Sequence, residues 1–262
     1  MNLKKTWKGE NGCTSVITRE NGSLKMMAVD MLSLKAGQEH SWDEHGWEYG
    51  IIILGGKCDV EGDGFGYAGI GKRADVFDGP ATAVYIPAER KFTVRALTDL
   101  RAAICKTDGI AGFEPALVKP EDVIIKDLGK NEWQRQAHFI VDERIAAHRI
   151  YIGEAYVKGG MWASYPPHKH DEDNMPAEGI LEEIYYYEYD RPTGFGIQKV
   201  YAADGSLDET YTVKNGDFVE IPIGYHPFCS APGYTAYYLW IMAGENRGFF
   251  MSSDPDHKWM NA

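Results

Sequence analysis

The feature that most restricts what this chain can fold into is a succession of short strand-forming runs with almost no helical periodicity. Runs rich in Val, Ile, Tyr and Phe occupy residues 24–34, 47–58, 83–87, 91–96 and 100–106. They resume at 149–156, 182–189, 196–202, 210–213, 218–222 and 236–243. Gly, Pro, Asp and Asn cut the runs apart, and 29 glycines suit tight turns between antiparallel strands. The pattern predicts an all-β protein, either sandwich or barrel.

A length of 262 residues exceeds what one small barrel needs and fits two domains. The two halves echo each other. Gly79-Pro-Ala-Thr-Ala-Val-Tyr-Ile-Pro87 and Asn215-Gly-Asp-Phe-Val-Glu-Ile-Pro222 are each a glycine turn, an apolar strand, and a proline where the strand leaves the sheet. Residues 113–130 carry two prolines and several charges and read as a connector over the surface. The expected division is an N-terminal barrel over residues 1–115, followed by the connector and a second barrel over 116–262.

Charge narrows the function classes. The balance of 27 basic against 39 acidic side chains gives a net charge of −12. Nucleic acid and anionic membrane both need a positive field, so neither is an expected partner. No signal-like or membrane-spanning run is legible, and the four cysteines form no CxxC pair. These point to reduced thiols and a cytoplasmic location. Exposed sheet edges and the two-fold habit of oligomers make a homodimer the default assembly.

The chemistry concentrates in the second half. In Tyr165-Pro-Pro-His168-Lys169-His170-Asp171 two imidazoles stand two residues apart, so on an extended strand they share a face while Lys169 points away. An acidic, Gly- and Pro-containing loop follows, and then a strand on which Leu181, Glu183, Tyr185, Tyr187 and Tyr189 share one face. Pro222-Ile-Gly224-Tyr-His226 offers a third imidazole just past a strand end. Three ring nitrogens and a carboxylate suit a divalent ion such as Zn, Mn, Fe or Ni, with positions left for substrate oxygens.

Several of these motifs in order resemble the 5-deoxy-glucuronate isomerases of bacterial inositol catabolism. They are His168-Lys-His170-Asp, Leu181-Glu-Glu-Ile-Tyr-Tyr-Tyr187, Ser206-Leu-Asp-Glu-Thr210, Gly224-Tyr-His-Pro227, Tyr237-Tyr-Leu, Met242-Ala-Gly and Asp254-Pro-Asp-His257. The likeness is dense from about Gly160 onward and looser through the first half; hexosulose-uronate ketol-isomerases are more distantly similar. The resemblance implies a bicupin, two fused double-stranded β-helix (jelly-roll) barrels, with the metal site only in the second. It implies one divalent metal per chain, Zn or Mn, held by His168, His170, Glu183 and His226, and it selects Glu183 over the adjacent Glu182. It also implies aldose–ketose isomerisation of 5-deoxy-glucuronate to 5-dehydro-2-deoxy-gluconate. Twelve residues separate His170 from Glu183 and one separates Gly224 from His226. Both depart from the general cupin spacing, and the long insertion matches the isomerases.

The chemistry then assigns expected roles. A metal holding two substrate oxygens stabilises an enediolate, and a base moves the proton between C2 and C1. Glu183, metal-bound hydroxide and a pocket tyrosine all qualify as that base. Tyr185 and Tyr187 are candidate pocket walls, and Lys199 and Arg247 are candidate partners for the carboxylate of a small sugar-acid substrate. His40, His45, His138, His148 and His257 read as packing or solvent-facing residues. An Fe(II) cupin dioxygenase and a non-enzymatic sugar-acid sensor are the alternative readings of the same residues.

Overall fold

The computed structural model describes residues 2–261. Among them regular structure is β-strand, apart from three short 3-10 segments at Pro120–Asp122, Asn131–Trp133 and Pro255–Asn261. No helix among the described residues is long and apolar enough to cross a membrane. The four cysteines are free thiols.

The chain divides into two units, and they are not consecutive halves. One comprises Trp7–Ile124 together with Phe139–Ile152; the other comprises the chain up to Thr6, Ile125–His138 and everything from Gly153 onward. This partition is more interleaved than a cut between residues 115 and 116. Backbone pairing explains part of it, since strand Lys4–Thr6 pairs antiparallel with Asp217–Ile221 at the edge of the second unit's main sheet.

In the first unit a six-stranded sheet runs in the order Ala116–Val118, Thr82–Ile86, Trp47–Gly55, Leu100–Asp108, Met27–Leu34, Gly12–Ile17. It faces a four-stranded sheet ordered Glu39–Trp42, Phe92–Ala96, Cys58–Gly62, Phe65–Ile70. Side chains alternate along a strand, so Leu32 and Leu34, Tyr49, Ile51 and Ile53, and Ala102 and Ile104 each fall on the inner face. They meet Trp42, Val60, Phe92 and Val94 of the facing sheet in one buried core. Each such aliphatic side chain contributes about 1.5–3 kcal/mol by leaving water.

The second unit repeats the plan. Its main sheet is ordered Lys4–Thr6, Asp217–Ile221, Leu181–Tyr189, Ala236–Gly244, then residues 153–157, 135–138 and 125–128. The second sheet is Trp162–Ala163, Phe228–Ser230, Phe195–Tyr201, Asp208–Lys214, and a two-stranded pair joins His168–Lys169 to Ser252–Ser253. Strand Leu181–Tyr189 lies between two neighbours and is buried along its whole length.

The faint sequence repeat corresponds to a structural one. Thr82–Ile86 flanks Trp47–Gly55 as Asp217–Ile221 flanks Leu181–Tyr189. Every run read as a strand contains one, with ends shifted by a few residues. The expected run at 47–58 is two strands, Trp47–Gly55 and Cys58–Gly62, parted by a turn. Within the connector the chain forms Ala116–Val118 and Ile124–Leu128, the latter exposed along most of its length.

Candidate metal centre

Three strand ends of the second unit bring His170, Glu183 and His226 together. Their ligand atoms all lie within 4.8 Å of one another, and all three residues are buried. Glu183 Oε2 lies 3.0 Å from Nε2 of His170 and 3.1 Å from Nε2 of His226. Strand register fixes the carboxylate: Glu183 pairs with Ile221 on one side and Met242 on the other, and alternation sends Glu182 to the opposite face.

The two imidazoles are anchored alike. Nδ1 of His170 donates to the carbonyl of Leu181 at 2.8 Å, and Nδ1 of His226 donates to the carbonyl of Gly224 at 2.9 Å. A proton on Nδ1 leaves Nε2 with a lone pair, the arrangement that metal-binding histidines use. Nε2 of His226 is buried and lacks a hydrogen bond, although Glu183 Oε2 lies 3.1 Å away. His170 Nε2 is within hydrogen-bond distance of Glu183 Oε2, and wherever a ring nitrogen carries no proton its lone pair repels that oxygen unless a cation lies between them. Donors around a first-row ion with bonds near 2.0–2.2 Å sit roughly 3 Å apart, so the spacing fits such an ion.

His168 stands at the edge of this triad. Its ring meets that of His226 edge-on at 4.8 Å, and it is partly exposed whereas the other three residues are sealed. The structure therefore gathers three of the four expected residues tightly and sets the fourth one ring away. Burial, then the neighbouring His226 and His170, holds the His168 imidazole well below its usual range and therefore neutral. Burial pushes the Glu183 carboxyl up, but the His170 hydrogen bond and the charge of the two histidines outweigh it and leave it below the usual carboxylate range.

The long loop after His170 has a legible job. Lys169 faces away from the triad, and its ammonium binds Asp171 at 2.6 Å, Glu172 at 2.8 Å and Glu178 at 2.9 Å. Asp171 in turn accepts the Gly224 N–H at 2.7 Å. Gly224 holds His226 through its carbonyl, so a chain of contacts runs from Lys169 to a candidate ligand. Glycine is required at position 224: φ is +86°, and a Cβ there would lie 2.4 Å from the carbonyl oxygen of Tyr201. Asp171→Ala is expected to weaken metal retention about 10- to 100-fold while the protein stays folded. Metal content after dialysis, beside an unchanged circular dichroism spectrum, checks this.

Beyond the triad the pocket is aromatic. Tyr185 lies 5.8 Å from the His226 ring and 4.7 Å from Tyr238, and its hydroxyl is 2.9 Å from Ser164 Oγ. Burial, then the Glu183 charge, pushes Tyr185 well above the usual phenol range, so it stays a neutral O–H. Tyr187 sits deeper, packed on Phe228 with its hydroxyl donating to Gln198 at 2.5 Å. Lys199 lies on the second sheet, pairs with Asp208 at 2.8 Å and lines a separate cavity of about 430 Å³ with Tyr201, Asp254 and His257. Arg247 lies in the loop after strand Ala236–Gly244. The cation that acts on the tyrosines and on His168 is Arg135, which the sequence reading missed.

The first unit fills the corresponding place differently. Tyr49 pairs with Ile86 and Lys106 as Glu183 pairs with Ile221 and Met242, so it holds the same register position. Its ring abuts Phe92 at 4.9 Å, Phe92 stacks on Trp42 at 5.0 Å, and a buried Lys106–Asp30 ion pair of 2.8 Å lies nearby. His45 is exposed and bonded to Glu89 at 2.6 Å. His45→Ala is expected to leave metal content unchanged and turnover within a few-fold of wild type, measured on the same preparation.

Comparison with known proteins agrees with this geometry. The KduI/IolB family model matches residues 2–260. A 5-deoxy-glucuronate isomerase of Geobacillus thermodenitrificans is 37% identical over 252 residues, covering 96% of this chain and 92% of that protein. One from Bacillus licheniformis is 39% identical over 246 residues, covering 93% and 91%. The crystal structure of an IolB-like protein from Salmonella typhimurium superposes with a TM-score of 0.95 at 34% identity over 100% of both chains. An oxalate decarboxylase of Lactobacillus farciminis, 14% identical, superposes at 0.71 over 100% of this chain and 90% of its own, a likeness of fold alone. The fold is the expected bicupin. With a family model spanning nearly every residue and relatives matched over almost their whole length, the chain belongs to the KduI/IolB family of isomerases.

Proposed function

We propose that this chain interconverts 5-deoxy-glucuronate and 5-dehydro-2-deoxy-gluconate, using a divalent metal ion held by His170, Glu183 and His226 with His168 as the fourth donor. The observation that carries the metal assignment is the buried convergence of two Nε2 atoms and one carboxylate oxygen, each ring locked by an Nδ1–H···O=C bond. The relatives' shared name supplies the substrate.

When bound, the ion supplies positive charge that polarises the substrate's carbonyl and adjacent hydroxyl. The remaining work falls to side chains. Gly224, Leu181 and Asp171 hold the imidazoles in one orientation, so no reorganisation is needed during reaction. Tyr185, kept as a neutral O–H beside Ser164, donates a hydrogen bond to an oxygen that gains charge as the C2 proton departs. Glu183 is the carboxylate nearest that position and is the proposed carrier of the proton between C2 and C1. The aromatic walls formed by Tyr185, Tyr187 and Tyr238 exclude water from the intermediate.

The test is to supply 5-deoxy-glucuronate to the purified protein while following product by NMR and oxygen by electrode. Formation of the ketose with no oxygen uptake is expected. Strict dependence on oxygen would overturn the isomerase reading.

A further inference from the structure

The four donors named above are not held alike. Glu183 sits in a strand of the main sheet, and His170 and His226 are each locked by an Nδ1–H···O=C bond. His168 is placed through its backbone. Pro166 and Pro167 before it have no N–H, so that stretch can join a neighbour only through its carbonyls. Strand His168–Lys169 pairs with Ser252–Ser253 as a two-stranded ribbon outside both larger sheets of the unit. One residue further on, the Asp254 N–H donates to the carbonyl of Pro167 at 2.8 Å. A ribbon this short is marginal without outside support.

Support reaches both of its ends. At the Lys169 end the Ser252 hydroxyl bonds Glu178, which also takes the Lys169 ammonium. At the His168 end the Tyr201 hydroxyl, from the last residue of strand Phe195–Tyr201, donates to the Asp254 carboxylate at 2.5 Å. Asp254 is only 6% exposed. Tyr201 also exchanges two backbone bonds with Tyr225, of 2.8 and 2.9 Å, and their ring centroids are 5.1 Å apart. Tyr225 lies between Gly224 and His226. Tyr201 therefore holds the segment that presents His226 with its backbone, and the segment that presents His168 with its hydroxyl. Asp254 also accepts the Asp256 N–H at 2.9 Å, the turn an aspartate commonly makes with the residue two positions on. That turn accounts for an acid at 254 and leaves the tyrosine hydroxyl without a reason.

We propose that the hydrogen bond from Tyr201 to Asp254 is a latch that positions His168 to complete the metal's donor set. The two are positioning residues, and the assignment rests on the metal-site reading above. A hydroxyl donating to a buried carboxylate makes a strong bond, and this one ties together residues 53 positions apart. Without it the His168 end of the ribbon keeps only its backbone bonds, and the outermost ring is free to leave the triad.

The experiment measures Zn affinity, by competition with a chromophoric chelator, in wild type, Tyr201→Phe, His168→Ala and the double variant. Phenylalanine keeps the ring against Tyr225, both backbone bonds and the Asp254 turn, and deletes the hydroxyl alone. Zn affinity should fall about 10-fold in Tyr201→Phe, the scale of losing a group that orients a ligand. In the His168→Ala background the same change should alter affinity by less than about two-fold, because the ring it positions is gone. Asp254→Ala, alone and with His168→Ala, repeats the cycle from the other side of the bond and decides the case should Tyr201→Phe not fold. Unchanged Zn affinity on breaking the bond, or equal losses with and without His168, would overturn the proposal. Turnover of 5-deoxy-glucuronate is assayed separately. Wild type that binds Zn without converting the sugar would sink the isomerase reading, and the Zn cycle would still decide the latch.

Discussion

Replacing His226 with alanine is expected to strip the protein of tightly held metal and to lower isomerisation on the order of 1,000-fold. Its ring is fully buried, its Nδ1 is committed to Gly224, and its Nε2 lies 3.1 Å from Glu183 Oε2 with no hydrogen bond of its own. Removing it deletes one of three converging donors and with it the charge stabilisation of several kcal/mol that a bound ion supplies. His170→Ala and Glu183→Gln should behave similarly, and their combination should cost little more than either alone because the three act as a unit. His168→Ala should weaken metal retention less, since it removes the outermost ring and leaves the buried triad intact. Metal analysis after gel filtration, beside initial rates, reads all four. Full metal retention in His226→Ala would remove the site as drawn.

The second large effect lies in the first unit. Glu48 is fully buried in the first unit, where its carboxylate accepts four hydrogen bonds. Backbone N–H groups of His148, Arg149 and Ile150 donate at 2.9, 2.6 and 2.8 Å, and the Tyr85 hydroxyl donates at 2.7 Å. The acid thereby fastens segment Phe139–Ile152 to strand Trp47–Gly55 within the same unit. Alanine removes the acceptor of two buried and two part-buried donors at about 1–3 kcal/mol for each buried one, so a loss of at least about 2 kcal/mol is expected. Glu48→Gln keeps two acceptor positions on one oxygen and should lose less. Denaturant midpoints of the three proteins check the order, and a shift below about 1 kcal/mol for Glu48→Ala would contradict it.

The sequence carried the all-β class and the inner strands because Leu181–Tyr189 and Ala236–Gly244 are long, aromatic and buried throughout. It did not disclose Glu39–Trp42, Cys58–Gly62 or Phe65–Ile70, whose half-exposed polar residues resemble loop more than strand. Strand Lys4–Thr6 is three residues whose identity as a strand depends on a partner more than two hundred positions away. In the site, parity predicted that His168 and His170 share a face and that Lys169 leaves it, and the loop contacts of Lys169 agree with that geometry. Parity said nothing about depth, so the partly exposed edge position of His168 was invisible. Arg135 was missed for a similar reason. It opens a strand that carries no motif, and only the fold brings its charge to bear on Tyr238. Glu48 likewise looks like any strand glutamate until the segment Phe139–Ile152 closes over it.

The central claim is that a redox-silent divalent ion on the His170–Glu183–His226 triad supports isomerisation. The most direct measurement strips the protein with a chelator, returns Zn or Mn in sub-stoichiometric steps, and follows 5-deoxy-glucuronate in D2O under argon by NMR. No turnover by the stripped protein is predicted, then activity rising with added metal to a plateau at one equivalent per chain, with solvent deuterium entering the product at the carbon that receives the proton. Turnover that persists without metal, or that needs oxygen and iron, would contradict it.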